Sequence, residues 1–392
     1  MPRRAALPTA LLASLILCTP ALAEDRCGGE FGQWLEGVKA EAVAAGVPQK
    51  GIDALSRALY DKRVIGRDRQ QSVFAQTFAD FSGRMVSDYR LKQGAKHLRD
   101  YAQTFARAEA DYGVPAPVIT AFWALETDFG AVQGDFDTLN ALATLAYDCR
   151  RPELFRPQLV ALAKLIGHGD VPERVQGAWA GEIGQVQILP ADILKHGSDG
   201  NGDGLVDLRG TKEDVIMTAA KFLQDLGWRR GEPWLQEVVI PKDLPWEETG
   251  RANRLPVKQW QDWGVKARNG TLRDDLTAGL VLPMGKDGPA FLAYQNFDVY
   301  LEWNKSIVYT LTAAYLATRF DGAPKVDLRT PTPGLQIIEM KALQTKLQAR
   351  GHDVGQIDGI LGLGTREAVR TEQKRLGLPV DGWPTRTLMD AL

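Results

Sequence analysis

Residues 114–130 form a run that is almost wholly apolar but carries one glutamate, Glu126, near its end. Pro115 and Pro117 suit the first turn of a helix, where a missing N–H group costs little. Gly130 can adopt the left-handed conformation that ends a helix. The run therefore predicts a short, buried helix with Glu126 in its last turn.

Aromatic residues surround Glu126 along this predicted helix. Phe122, Trp123 and Phe129 lie three or four positions from it and would share or border its face. A carboxyl group that rings shield from water favours its neutral form, so its pKa rises and it can donate a proton near neutral pH. The helix alone is equally consistent with Glu126 pointing into solvent while the rings form the core.

Residues 1–23 are typical of a secretory signal. Arg3 and Arg4 precede an apolar stretch, residues 10–18, that is too short to span a bilayer, and residues 21–23 form a small-x-small cleavage site. The sequence therefore predicts export to the periplasm of a Gram-negative-type envelope.

A lipid anchor on Cys18 is the alternative to cleavage after Ala23, and it would make the protein membrane-associated. Leu17 argues against it, because lipoprotein signals usually carry a small residue there. Beyond the signal no apolar run is long enough to cross a membrane.

The charge balance excludes a polybasic nucleic-acid binder. The whole chain has a net charge of −2, and removal of the two signal arginines brings it to −4. We expect a monomer without nucleic-acid partners.

Two cysteines follow the signal, Cys27 and Cys149. In an oxidising compartment an isolated pair is more often bridged than free, so the sequence predicts a disulfide between them.

The length of the exported chain predicts more than one domain. Helical patterns dominate up to about residue 230, short extended runs follow from 235 to 300, and a helical pattern resumes from 299 to 319. We expect a mainly α (α+β) fold in which a helical domain, residues 24–320, carries a small β-containing lobe. Residues 321–334, with three prolines and two glycines, are typical of a linker.

Residues 335–392 form a short terminal module with an internal repeat. Ile357-Asp358-Gly359 precedes Thr365, and Val380-Asp381-Gly382 precedes Thr385. Each copy predicts an Asp-Gly turn that leads to a threonine at a helix N-cap, in a three-helix domain.

A second local motif begins at Asp199. Oxygen-bearing side chains fall at positions 1, 3, 5 and 9 of an EF-hand-like loop, with glycine at position 6 and a backbone carbonyl at position 7. Gly210 replaces the usual glutamate at position 12, so a later acid, Glu213 or Asp214, would have to close the loop. Hard oxygen ligands favour Ca²⁺; a metal-free Asp/Asn/Gly turn is the alternative. The candidate calcium ligands are Asp199, Asn201, Asp203, Leu205, Asp207 and Asp214.

Other catalytic constellations are poorly supported. The four histidines are widely separated, and the chain has neither a Gly-x-Ser-x-Gly elbow nor a Gly-x-Gly-x-x-Gly motif after a strand pattern. Asp128 lies on a different helix face from Glu126, and Asp135, Asp137 and Glu182 cannot be placed from sequence. Without a second carboxyl at the separation that glycosidases need, a one-acid mechanism remains.

Five motifs in one order resemble the family B lytic murein transglycosylases. The segment 124–130 resembles the family's glutamate helix, and 178–190 resembles its glycine-rich segment, which the calcium-type loop follows. The remaining motifs are Arg150-Arg151, Gly227-Trp228, and the segment 303–306 leading to Tyr309. The terminal module resembles the three-helix peptidoglycan-binding domain.

The resemblance implies a lysozyme-like core that cleaves the bond between N-acetylmuramic acid and N-acetylglucosamine in peptidoglycan without water. One glutamate first protonates the leaving oxygen and then takes the proton of the muramoyl C6 hydroxyl, which gives a 1,6-anhydro product. This chemistry requires no cofactor, and a single carboxyl that works in both directions suits a pKa near the working pH.

Residue by residue, the resemblance implies that Glu126 is the acid and base. The implied substrate-binding residues are Arg150, Arg151, Gln187, Phe222, Asn304 and Tyr309. Arg150 and Arg151 could instead be solvated surface residues, Tyr309 a core residue, and Gln187 and Asn304 structural hydrogen-bonding residues.

A flexible linker would let the terminal module concentrate the enzyme on the wall. The alternative is that the module is only a stabilising appendage.

Three departures from the family pattern concern the groove. Ile188-Leu189 replaces Phe-Met, Glu182 adds an acid to a segment that is usually small and apolar, and Trp303 stands where tyrosine is common.

The alternative functions are a hydrolytic muramidase, which needs a second acid near Glu126, and a catalytically silent wall-binding scaffold. A calcium-regulated sensor is disfavoured because the loop occurs once.

Overall fold

The computed structural model describes residues 27–69 and 76–392. The predicted signal, residues 1–23, and the possible lipid attachment at Cys18 lie outside the described residues. Within the described ranges, no helix is both long enough and apolar enough to cross a membrane.

Eleven helices of the described residues precede the main sheet and form most of the larger domain. Their apolar faces meet in one core, in which Ile119, Phe122 and Trp123 are fully buried. The helices are α1 (Phe31–Ala44), α2 (Gln49–Leu55), α3 (Lys62–Asp68), α4 (Phe78–Met85), α5 (Asp88–Asp100), α6 (Ala102–Tyr112), α7 (Ala116–Thr127), α8 (Thr138–Tyr147), α9 (Pro152–His168), α10 (Pro190–His196) and α11 (Lys212–Asp225).

Helix α7 begins after Pro115, as the sequence predicts, but it ends earlier than Gly130. Asp128, Phe129 and Gly130 all have positive φ, so the left-handed turn starts at Asp128. Arg90 of α5 holds Asp128 in place, with Nε 2.6 Å from Oδ1 and Nη2 3.0 Å from Oδ2. The two-point ion pair explains how a non-glycine residue adopts this conformation.

The β-containing lobe follows α11, where the extended runs predicted it. Its elements are β3 (Leu235–Val239), β4 (Leu255–Pro256), α12 (Val257–Asp262), β5 (Lys266–Ala267), β6 (Thr277–Val281) and β7 (Ala290–Ala293). The five antiparallel strands have the order β4-β6-β7-β3-β5, and β3 pairs with β7 through Leu235 opposite Ala293. A separate two-stranded ribbon within the helical domain pairs β1 (Phe136–Asp137) with β2 (Gln176–Gly177). The lobe has its own core around Trp260 and Tyr294.

Two helices then return to the helical domain, α13 (Asn296–Trp303) and α14 (Ile307–Phe320). The predicted helical pattern from 299 to 319 is broken at Asn304, which has extended backbone angles. Ser306 starts the next helix by accepting a hydrogen bond from the N–H of Tyr309. Because α14 packs along α7, this break lies beside the end of the Glu126 helix.

A disulfide between Cys27 and Cys149 ties the chain before α1 to the turn between α8 and α9, with 5.1 Å between the two Cα atoms. The backbone N–H of Gly28 also donates to the carbonyl of Tyr147 at 2.9 Å.

The terminal module contains α15 (Ile337–Ala349), α16 (Leu363–Arg375) and α17 (Arg386–Ala391). Its internal repeat has a structural counterpart, because one buried glutamine binds each Asp-Gly turn. Gln344 accepts from the N–H of Gly359, and Gln373 accepts from the N–H of Gly382, each at 2.8 Å. Each amide group also donates to the aspartate of its own turn.

The two threonines of the repeat differ in role. Thr385 caps α17, as predicted. The N-cap prediction for Thr365 is wrong, because Gly362 occupies the cap of α16 and Thr365 lies inside the helix. Its hydroxyl donates to the carbonyl of Val354 at 3.3 Å and tightens the module.

The module is docked against the larger domain, which differs from the free tether that the linker composition predicts. Arg366 donates to the carbonyls of Leu282 and Pro283, each at 3.2 Å. Asp381 accepts from the N–H of Lys286 at 3.0 Å. The linker is held as well, since Arg329 donates to the carbonyls of Lys286 and Gly288. Proline and glycine content does not reveal these bonds, because their partners are distant in sequence.

The docking predicts that the module and the larger domain unfold together. Burial lowers the pKa of Arg366 to about 10, so the guanidinium is still charged at pH 7. Arg366→Met would leave its carbonyl acceptors unpaired, at a cost of about 1–3 kcal/mol. We expect calorimetry to show one unfolding transition for the wild type and two for this variant.

Arg375→Met is the matched control, because Arg375 lies on the same helix but bonds Glu372 within the module. It should keep the single transition. Two transitions already present in the wild type would contradict the docked arrangement.

Candidate active site

Glu126 lies in the last turn of α7, half-buried, and two donors converge on one of its carboxylate oxygens. The indole Nε1 of Trp303 donates to Oε1 at 2.9 Å, and the hydroxyl of Tyr309 donates to the same atom. Within the described part of the chain, Oε2 has no hydrogen-bond partner. The carboxylate is therefore fixed through one oxygen, and the other remains available to a reacting group.

Aromatic packing holds these donors. Phe122 stacks on Trp303 with 4.3 Å between ring centroids, and Phe222 lies 5.2 Å from the same indole. The helix break at Asn304 places Trp303 at the end of α13 and Tyr309 in the first turn of α14, so both point toward α7.

The environment of Glu126 makes it a weaker acid than an ordinary glutamate. Burial raises its pKa to about 7, against the hydrogen bonds from Tyr309 and Trp303, which lower it. The charge of Glu182 raises it further. Desolvation thus outweighs two stabilising donors, and a carboxyl with this pKa can both give and take a proton near neutral pH.

The predicted ring environment is only partly what the structure contains. Phe122 supports the carboxylate through Trp303, but Trp123 and Phe129 pack against His97, with centroid distances of 4.7 and 4.8 Å. Helical spacing identified neighbours of Glu126 along α7. It could not reveal Trp303 and Tyr309, which are about 180 residues away in sequence.

Of the predicted substrate-binding residues, Tyr309 and Phe222 lie at this site. Gln187 donates to the carbonyl of Gly184 at 2.9 Å, and Asn304 accepts from the N–H of Ser306 at 2.9 Å. These bonds are those expected of structural hydrogen-bonding residues. Substrate contact by Gln187 or Asn304 remains a prediction.

Arg150 and Arg151 both bind the buried carboxylate of Asp68. Arg150 donates to Oδ2 at 2.6 Å and to the backbone carbonyl at 2.9 Å, and Arg151 donates to Oδ1. Arg69 also binds Asp68 and reaches Asp148 at 3.0 Å. Although burial opposes it, the two arginines hold the pKa of Asp68 below its ordinary value. Asp68 and Asp148 thus pair with all three guanidinium groups of this cluster.

Gln185 is a site residue that the sequence interpretation missed. It is buried, accepts from the indole N–H of Trp123 at 3.0 Å, and donates to the carbonyl of Arg209 at 2.9 Å. Its backbone carbonyl accepts from the hydroxyl of Thr127 at 2.6 Å. The glycine-rich segment is thus fastened to α7 on both sides of Glu126.

The EF-hand-like loop is closed by its own backbone. Asp199 accepts from the N–H groups of Gly202 and Gly204, at 2.6 and 2.7 Å. Asp214, predicted as a ligand, accepts from the N–H groups of Gly200 and Asp207, both at 2.7 Å.

No group of three acidic, histidine or cysteine side chains that could hold a metal ion is found among the described residues. In this arrangement the carboxylate oxygens of Asp199 and Asp214 accept hydrogen bonds from the loop backbone. Calcium binding stays a prediction.

Comparison with known proteins agrees with this architecture. Residues 30–318 match the Transglycosylase SLT domain family, and residues 338–392 match the Putative peptidoglycan binding domain family. The chain belongs to the transglycosylase SLT family. These matches and the structural neighbours below confirm the predicted resemblance and the mainly helical fold with a small sheet lobe.

Among solved structures, SltB3 from Pseudomonas aeruginosa, in complex with NAG-anhNAM-pentapeptide, is 35% identical with a TM-score of 0.84. The alignment covers 93% of this chain and 99% of SltB3. Slt35 from Escherichia coli, a lytic transglycosylase, shares the fold at 23% identity, with a TM-score of 0.63 over 77% of this chain and 98% of Slt35.

Membrane-bound lytic murein transglycosylase B of Escherichia coli K12 is 25% identical over 230 residues. The alignment covers 58% of this chain and 63% of that protein's length.

The hydrogen bonds from Trp303 and Tyr309 lower the pKa of Glu126, whereas burial raises it. A prediction follows from this opposition. Tyr309→Phe removes a hydrogen bond that favours the charged form, so the pKa of Glu126 should rise above about 7. Carbon-13 NMR of labelled glutamate follows this titration without reference to activity.

Tyr294→Phe is the control, because the buried hydroxyl of Tyr294 bonds Gln236. It should leave the titration of Glu126 unchanged. A Glu126 pKa that stays the same or falls in Tyr309→Phe would show that this hydroxyl does not stabilise the carboxylate.

Proposed function

We propose that this chain is a peptidoglycan lytic transglycosylase that cleaves the bond between N-acetylmuramic acid and N-acetylglucosamine without water. The observation that carries the proposal is the single glutamate, Glu126, held by Tyr309 and Trp303 at a pKa of about 7 in a member of the transglycosylase family. SltB3, which was solved with a NAG-anhNAM-pentapeptide, supports the anhydro product.

In the first step, neutral Glu126 donates its proton to the glycosidic oxygen as the bond to the muramoyl C1 breaks. The resulting carboxylate is stabilised where it stands, because Trp303 and Tyr309 donate to Oε1. In the second step, the carboxylate takes the proton of the muramoyl C6 hydroxyl while that oxygen bonds to C1. The proton balance closes, and Glu126 returns to its neutral form.

A hydrolytic muramidase is the second candidate, and one observation favours it. Glu182 is a second carboxyl whose charge acts on Glu126. However, SltB3 was solved with an anhydro-sugar ligand, which supports the one-acid reaction, and we therefore favour that reaction.

The terminal module, matched to the peptidoglycan-binding family, supports a wall substrate and argues for a partner made of glycan strands. A silent wall-binding scaffold is disfavoured, since it would not require a desolvated glutamate with two converging donors. We propose periplasmic action, in line with the predicted signal and with murein as the substrate named for the E. coli relative.

Glu126→Gln tests the reaction. It should bind wall sacculi as the wild type does but release no soluble muropeptides, since its amide cannot deliver a proton. Mass spectrometry distinguishes the products, because the anhydro product is one water lighter than the hydrolysed one. Glu302→Gln is the control, because Glu302 is exposed near the same site and pairs with Lys305; it should release fragments normally.

Loss of release must be separated from unfolding. The raised pKa of Glu126 means that its contribution to stability is lost as pH rises from 4.5 to about 7. Glu126→Gln should therefore be more stable than the wild type at pH 8, by up to about 3 kcal/mol. In the mass spectra, hydrolysed products from the wild type, heavier by one water, would reject the transglycosylase mechanism.

Calcium binding by the loop is a separate proposal, supported by the chemistry of its donors. Carboxylate oxygens that accept one N–H retain lone pairs, and the loop concentrates oxygen atoms at EF-hand spacing.

If Ca²⁺ binds only the folded state, EGTA should lower the melting temperature and excess CaCl₂ should restore it. Asp203→Ala should abolish this response, whereas Asp274→Ala, on an exposed loop, should keep it. An unchanged melting curve in EGTA would reject calcium binding.

A further inference from the structure

Thr310 follows Tyr309 near the start of α14, and its side chain is fully buried. Its hydroxyl donates to the carbonyl of Asn304 at 2.9 Å, and the carbonyl of Tyr300 lies 3.3 Å from the same oxygen. Tyr300 belongs to α13, and Asn304 is the residue at which the backbone breaks between the two helices. The hydroxyl therefore ties the start of α14 to the end of α13.

This bond differs from the usual bond of a threonine inside a helix. Such a hydroxyl commonly donates to the carbonyl three or four residues earlier in the same helix. Thr120, Thr345 and Thr371 do so in this chain, each with an acceptor four residues before it. Thr310 instead reaches acceptors six and ten residues earlier, in the break and in another helix. Its hydroxyl thus fixes the arrangement of two helices relative to each other.

The other side-chain bonds at the break are more local. The side chain of Asn304 accepts from the N–H of Ser306, two residues away, and the side chain of Ser306 accepts from the N–H of Tyr309, three residues away. These bonds shape the turn and start α14, but neither of them reaches α13. The Thr310 hydroxyl spans the whole break.

The two residues that hold Glu126 lie directly beside this bond. Trp303 precedes Asn304, the nearer acceptor, and Tyr309 precedes Thr310 itself. The two side chains donate to Oε1 of Glu126 from opposite sides of the break. Because both donors share one acceptor atom, a shift of one helix end against the other would lengthen at least one of the two bonds.

We propose that Thr310 is a positioning residue of the reaction, whose hydroxyl holds the ends of α13 and α14 at the spacing at which Trp303 and Tyr309 both reach Glu126. The proposal rests on the proposed function, because it takes Glu126 to be the group that gives and takes the proton. Thr310 acts through the two donors, since its own hydroxyl is engaged by backbone carbonyls.

Thr310→Val tests the proposal, because it replaces the hydroxyl by a methyl group of similar size. Displaced donors stabilise the carboxylate of Glu126 less, so its pKa should rise above about 7. Carbon-13 NMR of labelled glutamate should show a rise of about half a pH unit. In the release of soluble muropeptides, kcat should fall about tenfold and KM should change by less than about threefold.

Thr312→Val is the matched control. Thr312 lies on the same helix and is equally buried, but among the residues that the structure describes its hydroxyl has no hydrogen-bond partner. Thr312→Val should therefore leave kcat and the titration of Glu126 as they are in the wild type. If both valine variants show the same changes, the loss of any buried hydroxyl from α14 is responsible, and the proposal is overturned.

Thr310→Ser and Thr310→Ala separate the hydrogen bond from packing, because both lack the methyl group and only the serine variant keeps the hydroxyl. Thr310→Ser should return kcat to within about twofold of the wild type, and Thr310→Ala should behave as Thr310→Val does. This pair decides the question even if Thr310→Val does not fold. Serine and alanine variants that differ in melting temperature but share one kcat and one Glu126 titration would assign Thr310 to stability alone and overturn the proposal.

Failure of the proposed reaction is distinguishable from failure of this proposal. The first would appear in the mass of the wild-type products. The titration of Glu126 in the resting protein does not depend on any reaction, so it tests the positioning role of Thr310 in either case.

Discussion

The hydrogen bonds from Trp303 and Tyr309 to a single oxygen of Glu126 are the contacts on which the site depends. They join the end of α7 to the break between α13 and α14, two parts of the chain far apart in sequence. Without them, a carboxylate surrounded by rings would be an unpaired buried charge, which is among the most costly features a fold can contain. With them, burial still prevails and keeps the pKa near 7.

The surrounding architecture serves to hold this geometry. Arg90 fixes the left-handed end of α7, Gln185 fastens the glycine-rich segment to it, and Phe122 supports the indole of Trp303. Each contact restrains a group that would otherwise move relative to Glu126. The arrangement is preorganised, since the donors are in place before any charge develops on the carboxylate.

The sequence predicted what depends on local pattern and missed what depends on distant contacts. The Glu126 helix, the sheet lobe and the three-helix module follow from hydrophobic periodicity, prolines and Asp-Gly turns. Trp303 appeared only as a departure from a family motif, although its indole binds the catalytic candidate. Asp68 binds Arg150 and Arg151, but no local sequence pattern predicts these contacts. A lone aspartate at a helix end is common in protein sequences.

The docked module changes how wall binding and cleavage are connected. A free tether would raise the local concentration of substrate without regard to direction. Here Arg366 and Asp381 fix the second Asp-Gly copy to the larger domain, so the module has one orientation relative to Glu126.

A cavity of about 490 Å³ lies at the junction of the module and the larger domain, lined by residues of both parts, among them Ser306 and Gly359. Ser306 caps α14, the helix whose first turn carries Tyr309, so the junction cavity and the Glu126 site share this short segment of the chain.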